Sequence, residues 1–120
     1  MSAAAHKEIV QSVNDAFSEN NIERFLDHCS EDITWTMVGK PPLKGKQDIR
    51  EFMNSMGDCP TPPEMNTISM IAEGALVAAD GTMTMTNSDG SIYNGAYCDI
   101  YHFQNGQIVA LKSYIVDLVK

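Results

Sequence analysis

The sequence predicts an α+β domain in which helices come first and a curved antiparallel sheet follows. Three observations predict it. Apolar residues recur at helical spacing through the first third of the chain. The second half alternates in long β-branched and aromatic runs. Between those runs stand the turn dipeptides Asn105-Gly106 and Asp89-Gly90. Helices grouped before strands make an α+β pattern rather than an alternating one, so the helices should cover one face of the sheet.

The elements follow in order. Ile9, Val13, Ala16 and Phe17 share a face of the first helix, with Val10 beside them, and "SENN" ends it. Asn20 with Glu23 has capping-box spacing for a second helix, whose stripe is Ile22, Phe25, Leu26 and Cys29. "DITWTMV", residues 32–38, alternates as a strand, and "GKPPLKG" breaks it. A third helix is expected over 46–56, with Ile49, Phe52, Met53 and Met56 on one side and Gly57 as its C′ residue. Prolines 60, 62 and 63 make a loop. Strands are expected over 65–73, 75–86, 92–104 and 108–119. Asp80-Gly81 reads either as a hairpin turn or as a bulge inside one long strand.

Composition narrows the function. The chain has 120 residues, the size of one domain spanning 1–120, and 43% hydrophobic residues, enough for a core of its own. Its formal charge of −8, with only eight scattered Lys and Arg, argues against nucleic-acid binding and against anionic membranes. No apolar run reaches the ~20 residues of a membrane span, and "MSAAAHKEIV" lacks the apolar core of a signal peptide. Cys29, Cys59 and Cys98 are odd in number and lack metal or redox spacing. They read as free thiols in a cytoplasmic protein. Phosphate-binding loops, dinucleotide fingerprints, HExxH and CxxC pairs are all missing from the sequence. No metal or organic cofactor is expected.

One residue stands out. "AYCDIYHF" is an apolar strand with Asp99 at its centre. Alternation places Tyr93, Tyr97, Asp99, Tyr101 and Phe103 on one face, and Asn94, Ala96, Cys98, Ile100 and His102 on the other. The aromatic set belongs inside. A carboxylate buried there without a partner is costly and tends to stay protonated.

Three stretches carry a resemblance to a known family: "ENNIERFLDHCSEDITW", "GKPPLKGKQDIREFM" and "YNGAYCDIYHFQNGQIVALKSYIVD". Together they resemble the nuclear-transport-factor-2-like superfamily, in its ketosteroid isomerase/SnoaL-like branch. The resemblance implies a cystatin-like, cone-shaped barrel, a strongly bent antiparallel sheet around N-terminal helices, with a pocket at the wide end. It also implies a homodimer through the outer sheet face, where Ile100, His102 and Tyr114 fall. The bend favours the bulge reading of Asp80-Gly81.

In this resemblance Asp99 falls on the isomerases' oxyanion-hole aspartate, a protonated acid that donates a hydrogen bond. The other isomerase residues do not carry over. Thr36 stands at the general base's place and Val13 at about that of the oxyanion-hole tyrosine. Limonene epoxide hydrolases use two carboxylates bridged by an arginine; Asp117 lies one residue out of that register, and the last strands hold no Arg. The resulting expectation is an apolar pocket for a small, carbonyl-bearing ligand, with Asp99 catalytic in isomerase, cyclase or hydratase chemistry. Trp35, Met37, Phe52, Met56, Tyr97, Tyr101 and Ser113 are the expected ligand contacts. The alternatives are a pocket that binds without catalysis, and a structural dimer whose cone is filled by its own side chains.

Overall fold

A computed structural model describes residues 2–55, 64–87 and 89–118. Met56, Gly57, Cys59 and the loop expected at prolines 60, 62 and 63 lie outside the described residues. The chain folds as helices α1 (Ala3–Ser18) and α2 (Ile22–Asp27), strands β1 (Cys29–Met37) and β2 (Leu43–Lys44), helix α3 (Gly45–Ser55), and strands β3 (Glu64–Glu73), β4 (Leu76–Thr86), β5 (Ile92–Gln104) and β6 (Gln107–Asp117).

Local chemistry sets the boundaries. Ser2 caps α1, its hydroxyl accepting from the Ala5 amide at 3.1 Å. The end of α1 differs from the sequence expectation. Asn20 takes a left-handed φ of 58° and stops the helix, and Asn21 caps α2 by accepting from Arg24 N. Asparagine tolerates that backbone region, so two adjacent asparagines divide the two tasks. Cys29 is not the last residue of the α2 stripe but the first of β1. It is fully buried, its thiol donating to the Phe25 carbonyl at 3.2 Å. Burial pushes that thiol up to about 12, which makes it an unreactive core residue.

The six strands form one sheet in the order β2-β1-β6-β5-β4-β3. Two expectations are corrected here. The sheet is mixed, because β1 and β6 run parallel while the other pairs are antiparallel. It is also open among the described residues, with β2 and β3 at its edges, so it is not a closed barrel. α1 packs over β3 and β4, and α3 lies against β1. His6, near the start of α1, donates from Nδ1 to the Gly74 carbonyl at 2.9 Å and stacks on Phe103. This ties α1 to the β3–β4 turn.

Asp80-Gly81 makes no hairpin; β4 runs straight through it. The irregularity lies on the neighbouring strand. Thr67 pairs with Gly81 and Ser69 with Asp80, so Ile68 is the extra residue of a bulge in β3. Asn105 and Gly106 both have positive φ, as the two-residue β5–β6 turn requires.

The core sits between the helices and the inner sheet face. Val10, Val13, Phe25, Leu26, Ile33, Ile49, Val77, Tyr101, Ile108 and Leu111 are buried in it. Toward one end this packing gives way to a cavity.

Candidate functional site

Alternation along β5 holds in space. Tyr97, Asp99, Tyr101 and Phe103 are buried, and His102 is exposed. Asp99 is 5% exposed and stands on the wall of a cavity of about 610 Å³. The expected contacts Trp35, Met37, Phe52, Tyr97 and Ser113 also line it. Tyr101 does not. It sits two residues deeper, fully buried, paired across the ladders with Val77 and Leu111. Met65, Met83 and Met85 complete the sulfur-rich lining.

The polar groups converge on Asp99. Ser113 is its ladder partner on β6. Trp35 Nε1–H donates to Ser113 Oγ at 3.0 Å, which leaves the Ser113 hydrogen for Asp99. Burial pushes the Asp99 carboxyl up to about 6, and the Ser113 hydrogen bond only partly opposes it. Trp35 is fixed in turn by aromatic neighbours, Phe17 at 5.9 Å, Phe25 at 5.7 Å and Phe52 at 6.4 Å between ring centroids. Indole, hydroxyl and carboxyl thus form a short relay anchored in the core.

Tyr97 is held from the other side. Its hydroxyl lies 2.8 Å from Thr67 Oγ1, which accepts from Asn14 Nδ2 at 3.0 Å. This chain crosses from α1 through β3 to β5. At the outer end of the cavity Tyr93 donates to Asp117 Oδ1 at 2.6 Å. Sequence parity brings Asp117 to the inner face of β6, but nothing local marks Tyr93 as its partner. Among the described residues no cluster of His, Cys, Asp and Glu has the geometry of a metal site.

Chemically, the cavity offers an apolar, methionine-lined volume and one buried carboxyl that is substantially protonated below pH 6. Such a group can donate a hydrogen bond to an oxygen, or a proton to a developing oxyanion.

A SnoaL-like domain model matches residues 10–111. The chain belongs to the SnoaL-like family. No protein with a curated description matches it in sequence. Among solved structures, an NTF2-like protein of unknown function from Burkholderia pseudomallei superposes with a TM-score of 0.86 at 17% identity, covering 97% of this chain and 92% of that one. An LEH-like epoxide hydrolase from M. tuberculosis gives 0.83 at 15% identity, covering 95% and 84%. A protein from Xanthomonas campestris pv. campestris assigned as a polyketide cyclase gives 0.81 at 18% identity, covering 93% and 90%. At these identities the likeness is one of fold. The SnoaL-like chain described here shares a scaffold with proteins of differing chemistry, so its function has to be argued from its own cavity. No described helix is long and apolar enough to cross a membrane.

Proposed function

We propose that the cavity binds a small apolar, carbonyl-bearing molecule, and that Asp99 acts on its carbonyl oxygen as a neutral acid. The reaction class is cofactor-independent isomerisation, cyclisation or hydration. One observation carries this reading: a carboxyl 5% exposed, raised to about 6 by burial, on the wall of a 610 Å³ apolar cavity. A core that needed only filling would place a leucine there, since an unpaired buried carboxylate is costly. The Trp35–Ser113 relay occupies one side of the Asp99 carboxyl and leaves its acid proton for a ligand.

A second reading, a binding pocket without turnover, is favoured by one specific fact. The positions of the isomerase base and tyrosine are held by Thr36 and Val13, which supply no acid–base group near neutral pH. The third alternative, a cone filled by its own side chains, is disfavoured by the cavity itself.

Infrared spectroscopy of bound 4-acetylbiphenyl tests the central role. Below pH 6 the carbonyl stretch should move to lower frequency, as expected of an oxygen accepting a hydrogen bond. The shift should fade as pH rises through about 6 and should be missing in Asp99→Ala. A carbonyl frequency equal in both proteins at every pH would refute the assignment.

We further propose that the outer sheet face pairs two copies of the chain. Ile71 is 70% exposed there, Tyr114 41% and Val116 62%. The ladders place them around Ile100, Ala78 and Cys98 on that same face. Lys112 and Asp80 share this face, as ladder partners of Ile100 and Cys98, and the exposed apolar residues around them are what a second copy would cover. Sedimentation at micromolar concentration should give twice the chain mass, and Val116→Lys should return a monomer. A monomeric wild-type protein would remove this interface.

A further inference from the structure

The cavity carries a polar group at each end. Along β6 the residues that line it are Ser113, Ile115 and Asp117, polar at both ends and apolar between. Asp99 stands across from Ser113, and Gly95 across from Asp117. The two residues are therefore four ladder steps apart along neighbouring strands, roughly 13 Å of backbone at the usual rise per residue. Phe17, Met37, Met65, Met83, Met85 and Ile115 line the apolar remainder.

Asp117 is exposed, yet its side chain is held. Tyr93 donates to its Oδ1 at 2.6 Å, and that bond raises the tyrosine pKa, so the proton stays on Tyr93. Tyr93 can lie where it does because residue 95 is glycine. A Cβ there would come within 2.7 Å of Tyr93 Oη and 2.8 Å of its ring. The glycine in the middle of a strand, the tyrosine folded over it and the aspartate across the ladder form one unit at the cavity rim. A carboxylate oriented by one donor keeps lone pairs for another.

We propose that Asp117, oriented by Tyr93, is the outer anchor for the ligand. It selects an elongated apolar molecule that carries an acceptor oxygen at its inner end and a hydroxyl donor at its outer end. This rests on the reading of Asp99 as the donor to the inner oxygen. Lys40 also lines the cavity, which makes an anionic outer group the competing chemistry.

The test compares 4-acetylbiphenyl with 4-acetyl-4′-hydroxybiphenyl by calorimetry below pH 6. The added hydroxyl should improve affinity about tenfold, the usual scale of a hydrogen bond to a charged acceptor. Asp117→Ala should erase the difference between the two ketones, and Tyr93→Phe should reduce it. Affinities that depend on Asp99 but show no gain from the hydroxyl would overturn the outer anchor and leave the proposed function standing. A larger gain from the 4′-carboxylate analogue, lost in Lys40→Ala, would also overturn it. Ketone binding indifferent to Asp99→Ala would overturn both.

Discussion

Replacing Asp99 with asparagine will make the protein more stable at pH 8 than the wild type, and the advantage will vanish in acid. Burial pushes the native carboxyl up to about 6 from its ordinary value of 3.8. A raised native value means that the folded form holds its proton longer than the unfolded one. The wild type therefore keeps its full stability below about 3.8, loses it as pH climbs toward 6, and stays at the lower level above that. A shift of this size corresponds to up to about 3 kcal/mol at pH 8, since one pKa unit is about 1.4 kcal/mol. Asparagine keeps the shape and an acceptor for Ser113, without the charge. Urea unfolding of both proteins at pH 4 and pH 8 reads the difference. The same substitution removes the acid, so any turnover that protonates a ligand oxygen should be lost. A stability difference that does not change with pH would contradict the burial argument.

Gly81→Ala will unfold the protein more readily than any change on the exposed sheet face. A Cβ at this position would run into the Asn66 carbonyl oxygen and lie 2.9 Å from both the Asn66 carbonyl carbon and Thr67 Cα. All three are backbone atoms and cannot rotate aside. Gly81 is the ladder partner of Thr67, one residue before the bulged Ile68. Relief requires the β3–β4 ladder to part there, which would also move Thr67 away from Tyr97. Overpacking of this kind costs about 3 kcal/mol, or roughly 10 °C in melting temperature for a domain of this size. Calorimetry on the variant reads it directly. A melting point within a degree or two of wild type would mean that the strands approach less closely than described.

These two residues also show what the sequence makes legible. Asp99 was readable because its strand alternates without interruption, so parity alone fixes its face. Parity does not say how deep a residue sits. Tyr101 shares the face of Asp99, yet Val77 and Leu111 close the core at its level, and it does not line the cavity. The bulge hid a second feature. Met65 and Met70 are five residues apart, and simple alternation sends them to opposite faces. The extra residue at Ile68 brings both inward, so that Met65 lines the cavity and Met70 packs on the core. The parallel pairing of β1 with β6 joins segments about 75 residues apart, a distance over which alternation carries no information. The Tyr93–Asp117 bond depends on the missing side chain at Gly95, a packing fact visible only once the strands are paired.

The most direct test of the account is an NMR titration of the Asp99 carboxyl carbon in the wild-type protein, assigned by its loss in Asp99→Asn. The account predicts a midpoint near 6, above the ordinary 3.8, because burial outweighs the Ser113 hydrogen bond. A midpoint at or below 3.8 would show a solvated or charge-paired carboxylate, and the neutral acid on the wall of the cavity would be lost with it.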